Sequence, residues 1–197
     1  TGFDEIQFDY IRFAVDRTMN DVVFDDADTQ GRDKTQAITE FISYAHDELA
    51  KEGLFVSADV FGTIMRSEED AAAVGQEYED MAEQLDYICP MIYPSHYGPG
   101  NFGIEYPDTQ PYDTILNALN GSRELLAASA KEDAPQAVVR PWLQDFTASY
   151  LEHYIKYGDE QVRQQIQAVY DAGYDQWILW DAGVSYHSVS YTHLMLP

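Results

Sequence analysis

The amino-acid sequence predicts an α/β fold, namely part of a (β/α)₈ barrel. Five apolar, β-rich segments are separated for the most part by amphipathic helical patterns, which is typical of parallel βα units. Polar residues gather near the C-terminal end of each segment, where such barrels carry their active sites. A doubly wound sheet is the alternative, but no glycine-rich phosphate loop follows any segment. Because five strands cannot close an eight-stranded barrel, we expect three further strands to precede them.

The five predicted strands are short apolar runs bounded by turn-forming residues. They are EIQFDYIRF (5–13), LFVSADVFG (54–62), LDYICPMIY (85–93), AVVRPWLQDF (137–146) and DQWILWDAG (175–183). Their alternation with helices predicts right-handed crossovers between neighbouring parallel strands.

Helical patterns fill most of the intervals between these runs, at residues 35–53, 67–85, 112–130 and 159–173. The first repeats apolar side chains at helical spacing and stops at Gly53. The second begins with Ser67, and Asp70 three residues later completes a pattern like a capping box. Two long connections, 14–34 and 93–112, remain, and connections of this length in a compact domain are usually functional or disordered.

The charge of the chain restricts its partners. Eleven Lys and Arg residues stand against 35 Asp and Glu residues, for a net charge of −24. A surface this acidic repels phosphate backbones, so we predict no nucleic-acid partner. No apolar stretch has the length of a membrane span, and we therefore predict no membrane insertion for this segment. The sequence leaves the oligomeric state open.

Cofactor and metal chemistry find little support in the sequence. Cys89 is the single cysteine, which excludes an intrachain disulfide and a thiolate cluster. Asp26 and Asp28 begin like a calcium loop, but Ala37 occupies the twelfth position, where a bidentate Glu is required. The histidines lack the spacing of zinc sites. We therefore predict neither a cofactor nor a metal.

We predict one domain over residues 1–187 and interpret residues 188–197 as a non-native tail, because VSYTHL resembles translated sequencing adapter. The chain opens at Thr1, without Met, and enters a strand almost at once. We therefore expect both ends to be truncations, and any signal peptide would lie upstream. Secretion or attachment to a bacterial cell envelope is the expected localisation.

Two carboxylates are expected at neighbouring strand ends. Side chains alternate along a strand, so Gln7 and Asp9 share one face of the first strand, and Ser57 and Asp59 share one face of the second. This places Asp9 and Asp59 at the C-terminal mouth, where a nucleophile or base and an acid for glycosidic cleavage are needed. The structural alternatives are a salt bridge between Asp9 and Arg12 and a turn-capping role for Asp59.

The chain resembles a known family at four motifs, GFDEIQFDYIRF, ICPMIYPSHY, RPWLQDF and WILWDAG. These look like the DUF4015 glycoside hydrolase family, a relative of the α-amylase-like barrels. The resemblance implies a (β/α)₈ barrel, with this chain similar to strands four to eight. It implies that Asp9 is the nucleophile, Asp59 the general acid and Asp145 a supporting carboxylate. Two positions depart from the pattern expected of the family, Ala14 in place of Pro and Asp181 in place of Asn.

Further polar and aromatic residues near the strand ends are candidates for sugar binding, because aromatic faces pack on pyranose rings while polar edges form hydrogen bonds. These are Arg12, Tyr93, His96, Tyr97, Arg140, Trp142, Gln144, Trp180 and Asp181. Packing of the same aromatic residues within the protein is the alternative.

The sequence predicts a glycoside hydrolase that cleaves O-glycosidic bonds in a poly- or oligosaccharide with retention, and the resemblance implies an α-linked substrate. The alternative is a non-catalytic carbohydrate-binding barrel that keeps the cleft without the chemistry. The sequence leaves open whether the chain is active by itself, since an open part of a barrel exposes sheet edges.

Overall fold

The computed structural model describes residues 2–15, 22–131 and 135–187. Within these ranges the strands are β1 (Glu5–Phe8), β2 (Phe55–Phe61), β3 (Tyr87–Ile92), β4 (Val138–Val139), β5 (Trp142–Gln144) and β6 (Ile178–Trp180). The helices are α1 (Asp26–Thr29), α2 (Lys34–Ala50), α3 (Glu68–Val74), α4 (Tyr78–Ala82), α5 (Pro111–Ser129) and α6 (Asp159–Asp171). Short 3₁₀ turns occupy Gly62–Met65, Pro94–His96, Asn101–Gly103 and Pro107–Thr109. Strands therefore alternate with helices along most of the chain.

The strands form a parallel sheet with the order β1-β2-β3-β5-β6, and β4 pairs with β3 beside this path. The register pairs Gln7 of β1 with Ser57 of β2. Further along, Met91 of β3 is paired with Trp142 of β5. Parallel strands joined through helices are the arrangement of a (β/α)₈ barrel, so the predicted fold class, part of such a barrel, is confirmed.

The fourth predicted strand is divided in the structure. The run 137–146 forms β4 and β5, which are separated by Arg140 and Pro141. Proline has no backbone N–H to donate to a sheet, so a strand is commonly interrupted where it occurs. The Pro141 carbonyl still accepts a hydrogen bond of 2.9 Å from Ile178 N, which joins this break to the start of β6.

The chain divides into two compact units. The first comprises Thr1–Cys89 and Leu125–Val138. Helix α2 in this unit begins with a capping box, in which the Asp33 side chain accepts from Gln36 N while the Gln36 side chain accepts from Asp33 N. The predicted start at residue 35 is thus one residue late. The apolar core of the unit includes fully buried residues of α2 and β2, namely Ile42, Val56, Ala58 and Val60.

The predicted helix 67–85 is also divided, into α3 and α4, by a break at Gly75. Ser67 caps the start of α3 as predicted, by accepting from Asp70 N. Gly75 has a left-handed backbone with φ of 75°, and its N–H donates to the Ala71 carbonyl. A Cβ atom at Gly75 would lie 2.9 Å from the carbonyl oxygen of Lys34. Glycine is therefore required here by conformation and by the close approach of α2.

The second unit comprises Pro90–Glu124 and Val139–Pro197. Helix α6 is tied to strand β5 by one buried side chain, because Gln165 Oε1 accepts from Gln144 N at 3.0 Å and Gln165 Nε2 donates to Gln144 O at 2.7 Å. The predicted connection 93–112 is ordered by three 3₁₀ turns before α5 begins. Over the described part of the chain, none of the helices is long and apolar enough to cross a membrane.

Candidate active site

The first unit carries a row of polar side chains on β1 and β2. Gln7 Nε2 donates to Asp59 Oδ1 at 2.7 Å, and Ser57 Oγ donates to Glu5 Oε1 at 2.5 Å. Ser57 and Asp59 are buried, with 0% and 5% of their surfaces exposed. The polar side chains predicted to share a face on each strand are therefore joined across the two strands by hydrogen bonds. The sequence analysis did not single out Glu5.

The structure places Asp9 directly after β1, and Asp59 in the adjacent strand β2, two residues before that strand ends. The register of β1 and β2 closes with Phe8 opposite Ala58, and each aspartate is the next residue along its own strand. Asp9 is exposed, and its Oδ1 accepts a hydrogen bond of 2.7 Å from Tyr10 N. The chain turns sharply after Asp9, because Tyr10 has a φ of 56°. A left-handed backbone at a bulky residue is uncommon and often marks a functional site.

In the described part of the chain, Arg12 contacts aromatic rings and a backbone carbonyl, and not the Asp9 carboxylate named in the structural alternative. Its guanidinium lies over the ring of Phe61 at 4.7 Å and over the ring of Tyr10 at 5.6 Å. Its Nη1 also donates to the Phe13 carbonyl at 3.3 Å. Among the described residues, no ion pair joins Arg12 to Asp9. The Asp9 carboxylate is therefore not occupied by the partner that the structural alternative required.

Gln76, which sequence reasoning missed, holds the two strand ends together. Its Nε2 donates to the carbonyl oxygens of Ile11 and Asp59, each at 3.1 Å, and its Oε1 accepts from Phe61 N at 3.1 Å. Only 1% of Gln76 is exposed. A buried amide with three backbone partners fixes the segments that follow Asp9 and Asp59. The only signal in the sequence is its position directly after the helix break at Gly75.

In the second unit, Asp145 is bound by a histidine. Asp145 is 2% exposed and directly follows β5, and its N–H donates to the Trp180 carbonyl at 2.9 Å. Its Oδ2 accepts from His187 N at 2.9 Å, and its Oδ1 is 2.5 Å from His187 Nδ1. Both carboxylate oxygens are therefore engaged by one residue. His187 was not among the site residues predicted from the sequence.

The predicted sugar-binding residues at the end of β6 are partly exposed. Trp180 is 43% exposed, and its ring meets that of Trp142 edge to face at 5.9 Å between centroids. Asp181 closes the turn after the strand, because its carboxylate accepts from Gly183 N at 3.3 Å and Ser185 N at 2.8 Å. Trp180 therefore offers an apolar face to a ligand, whereas Asp181 has a structural task in the turn.

Gln144 is fully buried at the centre of a hydrogen-bond network. Its Oε1 accepts from Ser95 N at 3.1 Å, and its Nε2 donates to Asp108 Oδ1 at 2.9 Å and to the Phe146 carbonyl at 3.1 Å. The side-chain amide thereby joins the segments that follow β3 and β5. Arg140, another predicted sugar-binding residue, is half-buried. The structure thus places Gln144 as a support for these loops.

The predicted platform of Tyr93, His96 and Tyr97 is mostly buried. Tyr93 is 6% exposed, and its ring meets the edge of His96 at 5.0 Å. Tyr97 is 8% exposed and packs on Phe102 at 5.0 Å. His96 is more accessible, yet the protein around its ring displaces enough water to lower its pKa. Of these three, His96 alone is exposed enough to meet a ligand directly.

With this geometry in view, comparison with known proteins decides the family. Residues 1–186 match DUF4015, described as "Putative glycosyl hydrolase domain". The chain belongs to this family. No curated protein matches the chain.

Two solved structures are similar to this DUF4015 domain in fold. The glycoside hydrolase domain of PgaB (BpsB) from Bordetella bronchiseptica has 12% identity and a TM-score of 0.53, covering 91% of this chain and 52% of that one. The spore cortex-lytic enzyme SleL from Bacillus megaterium QM B1551 has 11% identity and a TM-score of 0.53, covering 93% and 47%. The chain therefore spans about half the length of these proteins. The likeness shows a shared fold with glycoside hydrolases.

The described part of the DUF4015 domain contains no group of three or more His, Cys, Asp or Glu side chains that could hold a metal ion. The first unit offers a pair of carboxylates, Asp9 and Asp59, that directly follow the last residue pair between β1 and β2. The second unit adds a buried aspartate bound to a histidine. These are the groups with which acid–base or nucleophilic chemistry on a glycan could be carried out.

Proposed function

We propose that this glycosyl hydrolase-like domain cleaves O-glycosidic bonds in a poly- or oligosaccharide. Asp9 is the nucleophile and Asp59 is the general acid. The observation that supports this most directly is the register of β1 and β2, in which each aspartate directly follows the last pair of residues, Phe8 and Ala58. Adjacent strands are about 4.8 Å apart. That spacing is compatible with the carboxyl separation of about 5 to 5.5 Å that retaining glycosidases use.

The reaction would proceed in two steps. The Asp9 carboxylate attacks the anomeric carbon while protonated Asp59 gives its proton to the leaving glycosidic oxygen, which breaks the bond and forms a glycosyl ester. Asp59, now a carboxylate, takes a proton from water, and the oxygen of that water attacks the anomeric carbon and releases Asp9. The exposed Asp9 side chain is accessible to a sugar. Retention of configuration follows from the two displacements.

The hydrogen bond from Gln7 is compatible with the acid role of Asp59. Gln7 Nε2 donates to Oδ1 of Asp59. A protonated carboxyl group keeps one oxygen that accepts hydrogen bonds and carries its proton on the other. Gln7 can therefore hold Asp59 in the same position before and after proton transfer, with Oδ2 as the proton donor.

Asp145 has a supporting role in this proposal. Within the second unit, both of its oxygens contact His187 and hold that imidazole in place. The proposed role of Asp145 as a transition-state stabiliser rests on the resemblance to the family. The preference for an α-linked substrate rests on the resemblance to the α-amylase-like barrels. The sugar-binding roles expected from the sequence stay predictions.

A non-catalytic carbohydrate-binding barrel is the second candidate. The observation that favours it is the burial of Asp59, which is 5% exposed and already bound to Gln7. An exposed aromatic face such as that of Trp180 would bind sugar whether or not cleavage follows. The two candidates differ in turnover and not in binding.

Release of reducing ends by the purified chain tests the proposal, with α-glucans and a spore cortex preparation as substrates. Asp9→Asn should reduce cleavage to background while glycan binding is kept, because the amide cannot form the ester. Asp59→Asn should reduce it by about 10²–10⁴-fold, the usual contribution of an acid–base group. Asp4→Asn, an exposed residue at the other end of β1, is the matched control and should leave cleavage unchanged.

Glycan binding without turnover by the unmodified chain would support the second candidate. Unchanged turnover by Asp9→Asn would exclude Asp9 as the nucleophile. The first anomer that appears in proton NMR spectra of the reaction reports the stereochemical course, and an inverted product would contradict the two-step reaction.

A further inference from the structure

The second unit contains a cleft that none of the proposed catalytic residues enters. It has a volume of about 280 Å³. Three segments line it, residues 95–99, 106–108 and 151–153. The first two belong to the connection after β3, and the third belongs to the connection between β5 and α6. Pockets for drug-sized ligands have volumes of about 300–1,000 Å³, so this cleft suits a ligand of one ring.

An aromatic pair forms one wall of this cleft. The rings of Tyr106 and His153 lie 3.9 Å apart between centroids, with 36° between their planes. His153 is exposed and Tyr106 is half-buried, so the pair keeps accessible surface. Flat, partly exposed rings are suited to the C–H faces of a sugar ring, and their polar edges can form hydrogen bonds.

The cleft is supported by a rigid network. Asp108, which lines it, is 2% exposed and accepts from Gln144 Nε2 at 2.9 Å and from Ile155 N at 3.3 Å. The Tyr157 hydroxyl donates to the Asp108 carbonyl at 3.0 Å. These bonds connect the two segments that carry Tyr106 and His153. The wall is therefore preformed, which lowers the entropic cost of binding.

A buried hydroxyl in the lining has no partner. Ser95 lines the cleft and is 8% exposed, and its Oγ forms no hydrogen bond with any described residue. Buried polar atoms are nearly always satisfied, so an unpaired one requires an explanation. A ligand hydroxyl in the cleft could provide this partner.

The electrostatic character of the cleft disfavours acidic ligands. Asp108 and Glu152 line it, and no Lys or Arg does so among the described residues. Burial lowers the pKa of His96, which favours a neutral ring at pH 7. The pKa of Tyr106 is raised by desolvation and by the nearby charges of Glu105 and Glu152. An anionic sugar would be repelled by Glu152, and no Lys or Arg among the described lining residues would compensate.

We infer that this cleft binds one uncharged pyranose unit of a glycan, held against the Tyr106–His153 pair. This inference rests on the proposed function for the class of ligand. It adds a binding position, formed largely by residues outside the predicted site, and a preference for neutral over acidic sugars.

Titration of the ¹⁵N-labelled full chain with three tetrasaccharides tests the inference. The probes are maltotetraose, tetra-N-acetylchitotetraose and tetragalacturonic acid. At least one of the two neutral probes should shift the amide signals of residues 95–99, 106–108 and 151–153, and the acidic probe should not. Tyr106→Ala should weaken this binding by about tenfold, the loss expected for one aromatic contact. Tyr106→Phe keeps the ring and should bind within about twofold of the unmodified chain.

Tyr154→Ala is the matched control, because Tyr154 is 43% exposed, directly follows His153 and does not line the cleft. The affinity of this variant for the neutral tetrasaccharide should equal that of the unmodified chain. Cleft signals that respond to neither neutral probe would overturn the inference, as would equal binding of tetragalacturonic acid. Repeating the titration with Asp9→Asn, which should bind without cleaving, tests cleft binding apart from turnover. Cleft binding without turnover in the unmodified chain contradicts only catalysis, and turnover without cleft shifts contradicts only the cleft.

Discussion

At the scale of single residues, the candidate site depends on side chains whose surroundings decide their chemistry. Asp9 and Asp59 are the same residue type, and each directly follows the last residue pair between β1 and β2, yet Asp9 is exposed and Asp59 is buried against Gln7. Different surroundings are how two carboxyl groups come to serve as nucleophile and acid. The same reasoning applies to His96, whose environment disfavours its charged form.

His96 should titrate below the usual histidine value of about 6.5, because its partly desolvated ring disfavours the imidazolium. At pH values between the folded and the unfolded pKa of His96, this residue binds a proton in the unfolded chain but not in the folded chain. The contribution of His96 to folding is therefore fully present above the unfolded pKa, and is lost as the pH falls through the folded pKa.

NMR titration of the His96 ring signals, in buffer and in concentrated urea, measures both pKa values of this residue. The folded midpoint should lie below the unfolded one, and His96→Gln identifies the resonance. A folded midpoint equal to or above the midpoint in urea would contradict the prediction.

At the scale of elements, the breaks in strands and helices position the site. Gly75 ends α3 and is followed by Gln76, whose amide holds the backbone after β1 and β2. The helix break, the segment after Asp9 and the last part of β2 are thus joined by one buried side chain. Loss of the break would move Gln76 and, with it, both strand ends.

Gly75→Ala should destabilise the first unit more than Gly53→Ala does. Both glycines have φ near 75°, and forcing alanine into this region costs about 1–2 kcal/mol. A Cβ atom at Gly53 meets nothing within 4 Å, whereas one at Gly75 lies 2.9 Å from Lys34 O. The excess loss in the free energy of unfolding therefore measures the clash with α2.

Urea denaturation of the two variants, followed by far-UV circular dichroism, provides this comparison. We expect Gly53→Ala to lose about 1–2 kcal/mol and Gly75→Ala to lose measurably more. Equal losses would mean that the Lys34 backbone moves away at no cost.

At the scale of the whole molecule, the fold was predictable and many polar contacts of the site were not. Periodicity of apolar residues determines strands and helices, and alternation along a strand placed Gln7 and Asp59 on faces that meet. The bonds of Gln76 and the pairing of Asp145 with His187 join residues 15 to 65 positions apart. Such partners depend on tertiary packing, which local patterns do not encode.

The acidity of the molecule leads to a prediction about salt. A net charge of −24 opposes compaction through self-repulsion, which salt screens over a Debye length of about 8 Å at physiological ionic strength. Screening also weakens exposed ion pairs such as Arg32–Glu40 and Lys51–Glu48, but each contributes only about 0–1 kcal/mol. With 35 acidic residues against 11 basic ones, repulsion dominates.

The melting temperature of the chain at pH 7 should therefore rise when sodium chloride is added to a low-salt buffer. Choline chloride at equal ionic strength should give the same rise, because screening depends on ionic strength and not on the cation. Differential scanning calorimetry measures both series. A larger rise with sodium would indicate specific cation binding, and a fall with either salt would mean that attractive pairs outweigh the repulsion of the acidic surface.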